Sequence, residues 1–177
     1  MGGRRSTIPQ GHANRQSQLG IVMHIRKKFD DVAGKVCEAF LPVKHEYCIG
    51  RGKELAICTL SSIGLLEEIS KSNIMSKVAI AGRLLSANKG IDTMIRFTLE
   101  HPDLRRIIVC GKEVRGHRAG QALLALARNG IDRDGRIIGA LGPYPILKSP
   151  ERDVTAFRRQ VEITDMIGTV DIEKLVP

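Results

Sequence analysis

Tryptophan is absent from these 177 residues, and aromatic side chains make up only 3%. Proteins that bind single-stranded nucleic acid stack bases on exposed rings, so this poverty argues against a nucleic-acid partner despite a formal charge of +9. The charge is also unevenly placed. Residues 1–29 hold Arg4, Arg5, Arg15, Arg26, Lys27 and Lys28 and no acid, which leaves 22 basic against 19 acidic residues in the remainder. No run approaches the ~20 apolar residues that cross a bilayer, and the first residues lack the apolar core of a signal peptide. The four cysteines, Cys37, Cys48, Cys58 and Cys110, form no Cys-x-x-Cys pair and have no histidine at a zinc spacing, which speaks against structural zinc. Cys58 and Cys110 fall inside apolar runs, where a free thiol serves as a small core residue. A reducing cytoplasm is the expected compartment.

What is present is the length of one domain. Residues 1–18, rich in Gly, Pro, Ser, Asn and Gln, read as a disordered basic tail. Residues 19–44 carry Ile21, Val22, Ile25, Phe29, Val32, Val36 and Phe40 at spacings of three and four, an amphipathic helix. Its stripe serves either as a cap on the core, as a membrane-surface helix or as a homodimer interface. Residues 45–177 form the main domain. Apolar strand runs at Glu54–Thr59, Val78–Gly82, Arg106–Cys110 and Gln160–Met166 alternate with helix patterns, one ending near Ser70 and others at Ser86–Glu100, Gly116–Asn129 and Asp153–Arg159. Such alternation predicts an α/β fold, a Rossmann-like, doubly wound, mainly parallel sheet with right-handed crossovers. Residues 131–135 read as a turn before a strand at Arg136–Gly139, and Asp171–Leu175 as a frayed terminus. Asp132, Asp134 and Gly135 imitate part of a calcium loop, but the downstream glutamate is missing, so a plain turn is expected.

The chain is organised around Cys110-Gly-Lys-Glu-Val-Arg-Gly-His-Arg-Ala-Gly-Gln121, where a buried strand hands over to a helix. Turns of this kind line the ligand crevice of open α/β sheets, and a helix N-terminus there offers free N–H groups and about half a positive charge. The dipole biases His117 towards the neutral form that ligates metals, while Gly111, Gly116 and Gly120 leave space for a broad, flat ligand. Three other readings stand beside metal ligation. A phosphate loop fails because His117 and Arg118 replace its Lys and Ser/Thr. An inert helix-start histidine and an anion or nucleotide site built on N–H groups with Arg115 and Arg118 both stay open from the residues alone.

Cys110-Gly111, Glu113-Val114, Gly116-His117, Gly120-Gln121, Leu123–Leu126, Asn129-Gly130, Asp134–Ala140 and Gly142 resemble the corrinoid-binding A-subunit family of tetrahydromethanopterin S-methyltransferase. Cys58-Thr59-Leu60 with Ser62, Ile80-Ala81-Gly82, Gly90-Ile91 and the Val161–Gly168 stretch extend the likeness over roughly Cys48 to Asp171. The resemblance implies a cobamide (cobalamin-type cobalt corrinoid) as cofactor, with His117 as the lower axial ligand of cobalt. It implies a pocket drawn from Thr59, Ser62, Gly82, Glu113, Gly116, Gly120, Gln121, Gly139, Ala140, Leu141 and Gly142, with Glu113 or Asp165 as hydrogen-bond partner of the imidazole. The function it implies is that of a methyl carrier in one-carbon metabolism, its cobalt cycling between cobalt(I) and methyl-cobalt(III). Such a carrier is catalytic only with partner methyltransferases, which take methyl from methyl-tetrahydromethanopterin or a related folate and deliver it to a thiol. A nucleotide- or anion-binding module without corrinoid is the alternative. Two features depart from the family pattern: residues 83–88, Arg-Leu-Leu-Ser-Ala-Asn, stand where Pro-Cys-Lys-Thr-Glu-Asn is usual, and no C-terminal transmembrane helix precedes Pro177. The expectation is therefore a soluble, cytoplasmic relative.

Overall fold

Four consecutive buried residues, Leu55–Cys58, form a strand covered on both sides, and the rest of the sheet is arranged about it. The computed structural model describes residues 47–175. The basic tail (1–18) and the amphipathic segment (19–44) lie outside the described residues, as does Cys37. In chain order the elements are β1 (Tyr47–Ile49), β2 (Leu55–Cys58), α1 (Ile63–Lys71), β3 (Val78–Gly82), α2 (Lys89–Glu100), β4 (Arg106–Gly111), α3 (Ala119–Asn129), α4 (Glu151–Gln160) and β5 (Glu162–Ile167), with short 3-10 turns at Asn73–Ser76 and Ile172–Lys174. The sheet runs β1-β3-β2-β4-β5, parallel except for the antiparallel edge strand β1. This is the Rossmann-like α/β architecture expected from the alternation of strand and helix patterns.

Strand periodicity sends successive side chains to opposite faces, and β2 divides its four between two cores. Ala56 and Cys58 join Ile107, Val109 and the inner faces of α2, α3 and α4, whereas Leu55 and Ile57 join Val78, Ala81, Ile108 and the Leu65, Leu66 and Ile69 face of α1. Among the described residues, three helices thus cover one face and one helix the other. Right-handed crossovers require this asymmetry: the chain steps once towards β3, then reverses across β2 to β4 and continues to β5. The reversal makes the gap between the carboxyl ends of β2 and β4 the topological switch point, where open α/β sheets hold their ligands.

Several boundaries differ from the sequence reading. Helix α2 begins at Lys89 and not at Ser86, because the Ser86 hydroxyl accepts from Gly90 N–H at 3.0 Å and Asn88 occupies the cap. No strand forms over 136–139; the segment closes through isolated bridges, Ile131 to Ile137 and Arg136 to Ile146. Asp132 accepts from Asp134 N–H and Arg136 N–H, which makes residues 131–136 an Asx-type turn. The segment read as a frayed terminus ends on Leu175, which is 2% exposed in the α1-side core. Among the described residues no helix is long and apolar enough to cross a membrane.

Among the described residues two buried side-chain polar atoms have no partner, Arg83 Nε and the Thr98 hydroxyl. The Thr98 hydroxyl on α2 is fully enclosed and makes no hydrogen bond. Thr98→Val keeps the shape and removes the unsatisfied hydroxyl, so the variant is expected to match or exceed the wild-type melting temperature. A loss of more than about 1 kcal/mol in thermal unfolding would show that the hydroxyl has a stabilising role.

Candidate functional site

The β2–α1 loop and the β4–α3 loop diverge at the switch point and are stitched together across about fifty residues of sequence. Ser61 N–H and hydroxyl donate to the Lys112 carbonyl at 3.2 and 2.6 Å, and Lys112 N–H donates to the Ser62 hydroxyl at 2.8 Å. Thr59 is fully buried and donates its N–H to the Gly82 carbonyl at 2.8 Å, which ties in the end of β3. Thr59, Ser62, Gly82 and the 111–118 loop therefore meet at one end of the sheet.

Among the described residues, the non-glycine positions at positive φ are Leu60 (φ 50) and Arg118 (φ 47), one on each of these two loops. Side chains are disfavoured in the left-handed region, and such strain collects at functional sites. Arg118 has a consequence for the sequence reading. A left-handed residue cannot continue an α-helix, so α3 starts at Ala119 instead of Gly116. His117 lies outside the helix, on a single turn in which its own N–H and that of Arg118 donate to the Val114 carbonyl at 3.0 and 2.9 Å.

The residues expected to touch a cofactor divide into those that face outward and those that hold the turn. Glu113 accepts from the N–H groups of Gly120 and Gln121 at 2.5 and 3.1 Å, a carboxylate at the positive end of α3. Asp165 accepts from Ile167 N–H at 3.1 Å. Neither is hydrogen-bonded to the imidazole, so the expected carboxylate partner for the ring is not found. Gln121 clamps the loop after α3, donating to the Gly139 carbonyl and accepting from Leu141 N–H, both at 2.9 Å. That clamp brings buried Gly142 against His117: a Cβ added at Gly142 would lie 2.5 Å from the His117 carbonyl oxygen. Ala140 packs partly into the α2–α4 core, while Leu141 is 64% exposed.

The glycines also serve differently from the expectation. A Cβ at Gly111 would meet the Thr59 carbonyl at 2.3 Å, and one at Gly120 would meet Leu60 and Ile167 at 3.0 Å. Both positions permit close packing of protein on protein. Gly116 alone of the three faces open space, with nothing within 4 Å. His117 beside it is exposed, and its ring makes no hydrogen bond among the described residues. The arrangement is an uncommitted imidazole on a turn braced from three sides.

Around this turn the surface is apolar and basic. Ile63, Leu85, Val114, Leu141, Tyr144 and Val170 are exposed and lie on segments at or beside the carboxyl ends of the strands, where exposed apolar side chains mark a ligand surface. A groove of about 680 Å³ lies elsewhere, at the seam of α2 and α4, lined by Lys89, Asp92, Thr93, Arg96, Lys148 and Ser149. Of its two half-buried carboxylates, Asp92 already accepts from Lys148 N–H, Ser149 N–H and the Ser149 hydroxyl, and Asp153 pairs with Arg152. The groove is therefore a helix seam and holds none of the residues at the switch point. Cys58 and Cys110 carry no chemistry at neutral pH. Burial pushes both thiols up to about 12, so they remain protonated and non-nucleophilic.

The family of tetrahydromethanopterin S-methyltransferase A-subunits matches residues 34–177. Curated proteins with similar sequences include the A-subunit of that methyltransferase from Methanocaldococcus jannaschii, 40% identical over 136 residues that cover 75% of this chain and 55% of that one. Its counterpart from Methanococcus aeolicus is 38% identical over the same shares. The A-subunit numbered 2 of Methanothermobacter thermautotrophicus is 37% identical over 133 residues, 73% of this chain and 70% of that protein. The chain thus spans a little over half the length of the first two relatives and about two thirds of the third.

Proposed function

The chain belongs to the A-subunit family of tetrahydromethanopterin S-methyltransferase, and from that premise we propose that it is a cobamide-binding methyl carrier with His117 as the protein ligand to cobalt. The observation that carries this reading is the imidazole itself: exposed, without a hydrogen bond, and fixed at the switch point beside the open face of Gly116. Among the described residues no three His, Cys, Asp or Glu side chains converge. One imidazole is too few donors to retain a free metal ion, but it suits a metal whose remaining positions are filled by a macrocycle. The apolar rim fits the hydrocarbon faces of such a ring.

When bound, the corrinoid supplies a nucleophilic cobalt that accepts and releases a methyl group. The residues of the chain do the holding. Glu113 fixes the start of α3, Gln121 fixes the loop that carries Gly142, and Gly142 allows that loop to rest on the His117 backbone. Reaction is left to partner methyltransferases that approach the exposed face. By family, the methyl donor is methyl-tetrahydromethanopterin or a related folate and the acceptor is a thiol.

Hydroxocobalamin mixed with the full chain is expected to co-elute from gel filtration at one per protein, with a shifted visible spectrum. Nucleoside triphosphate in the same assay is expected to pass through unretained. Retention of the nucleotide and loss of several cobamides would transfer the site to the anion-binding reading.

A further inference from the structure

The loops at residues 59–62, 82–88, 111–118 and 139–145 carry four cations, Arg83, Lys112, Arg115 and Arg118, against one carboxylate, Glu113. Glu113 is committed to the α3 N–H groups. The ion pairs among the described residues, Arg152 with Asp153 and Lys174 with Asp171, involve none of the four cations. Arg83 differs from the other three. It is half-buried where they are exposed, and its Nε is enclosed with no hydrogen-bond partner. A charged donor kept from water without an acceptor is a standing cost, and an anion set against it removes that cost.

Arg83 directly follows Gly82, the last residue of β3, whose carbonyl accepts from Thr59 N–H. Because β2 separates β3 from β4, Gly82 is level with Val109 through Cys58 and about 10 Å from it by ordinary strand spacing, and Gly111 follows two residues further on. Arg83 also opens the segment that departs from the Pro-Cys-Lys-Thr-Glu-Asn pattern usual in the family. On the cobamide reading of the crevice, on which this step rests, we infer that Arg83 binds the phosphodiester of the cofactor's nucleotide arm. The amides at the rim of a corrin are neutral, and the phosphodiester is the anionic group of a complete cobamide. A guanidinium meets phosphate with paired, directed N–H groups. Arg83 is thus a specificity residue that favours complete cobamides over nucleotide-free corrinoids.

The test compares hydroxocobalamin with aquocobinamide, which lacks the nucleotide and its phosphate, by equilibrium dialysis on the full chain. Wild type is expected to bind hydroxocobalamin about tenfold more tightly, the equivalent of one charge-assisted contact. Arg83→Gln is expected to lose that preference while binding aquocobinamide unchanged, and Arg83→Lys to recover part of it. Equal weakening of both ligands by Arg83→Gln, or no weakening of either, would overturn the assignment. Should Arg83→Gln fail to fold, Arg83→Lys decides by the same ratio, since an undiminished preference for hydroxocobalamin in that variant also overturns it. If wild type binds neither, the cobamide reading itself falls. Tight hydroxocobalamin binding that ignores Arg83 leaves that reading standing and removes only this one.

Discussion

Replacing His117 by alanine is expected to leave the fold unchanged and to abolish protein nitrogen ligation of cobalt. The side chain is exposed and makes no hydrogen bond among the described residues, so its loss should alter stability by no more than about 0.5 kcal/mol. Lysine and arginine nearby stay protonated and offer no lone pair. The measurement is the electron paramagnetic resonance spectrum of the cobalt(II) form, in which wild type loaded with a nucleotide-free corrinoid should show hyperfine splitting from one nitrogen. Growth on nitrogen-15 histidine should change that pattern in the wild type, and the splitting should be absent in His117→Ala. Its survival would remove His117 as the ligand. His101 is a poor substitute: its Nδ1 lies 2.7 Å from the Phe97 carbonyl and its ring stacks on Phe97. It also caps the carboxyl end of α2, which leads into the start of β4 and so lies at the opposite end of the strands from the crevice. His12, His24 and His45 would then be the residues to replace.

Gly111→Ala should be the most damaging single methyl in this part of the molecule. Gly111 has φ +80, and its added Cβ would sit 2.3 Å from the Thr59 carbonyl oxygen and 2.9 Å from the Ser62 hydroxyl. Neither neighbour can yield freely. The Thr59 carbonyl accepts from Ser62 N–H, and the Ser62 hydroxyl accepts from Lys112 N–H. Gly111 is itself held, with its N–H on the Thr169 carbonyl at 2.7 Å and its carbonyl on Gly168 N–H at 2.8 Å. A left-handed alanine costs about 1–2 kcal/mol and overpacking about 1–3 kcal/mol, so denaturant unfolding should show a loss of about 3 kcal/mol. Gly116→Ala is the matched control, because nothing lies within 4 Å of its added Cβ and its φ is not positive. Equal stability of the two variants would mean that the close approach at Gly111 relaxes at no cost.

The central strands were legible in the sequence because a strand buried on both faces must be a continuous apolar run, and β2, β3 and β4 are such runs. Helix α3 was legible from the spacing of Leu123, Leu126 and their alanine neighbours, and its end from Gly130. The alternation of these patterns gave the sheet its parallel character, and the switch from strand to helix marked the turn that carries His117. Burial periodicity is a local property, so residues within one segment can encode it.

What the segments could not encode is which of them come to lie side by side. Arg118 belongs to a stretch whose propensities read as helix from Gly116, yet the packing of that turn against Gly142 and Glu113 places Arg118 at φ 47 and leaves His117 outside α3. Glu113 and Gln121 were expected at the pocket from the family resemblance, and only the fold shows that they also hydrogen-bond the α3 N–H groups and the Gly139–Leu141 loop. The edge strand β1 is three residues long and is specified by its pairing with β3, and Leu175 is buried only because α1 leaves room beside it. Amino-acid order therefore determined the elements, their buried faces and the position of the candidate ligand. The strand order, which brings Ser61 and Ser62 onto Lys112 from some fifty residues away, decided which glycines are filled by protein, which carboxylates are committed, and which imidazole is left exposed without a hydrogen bond among the described residues.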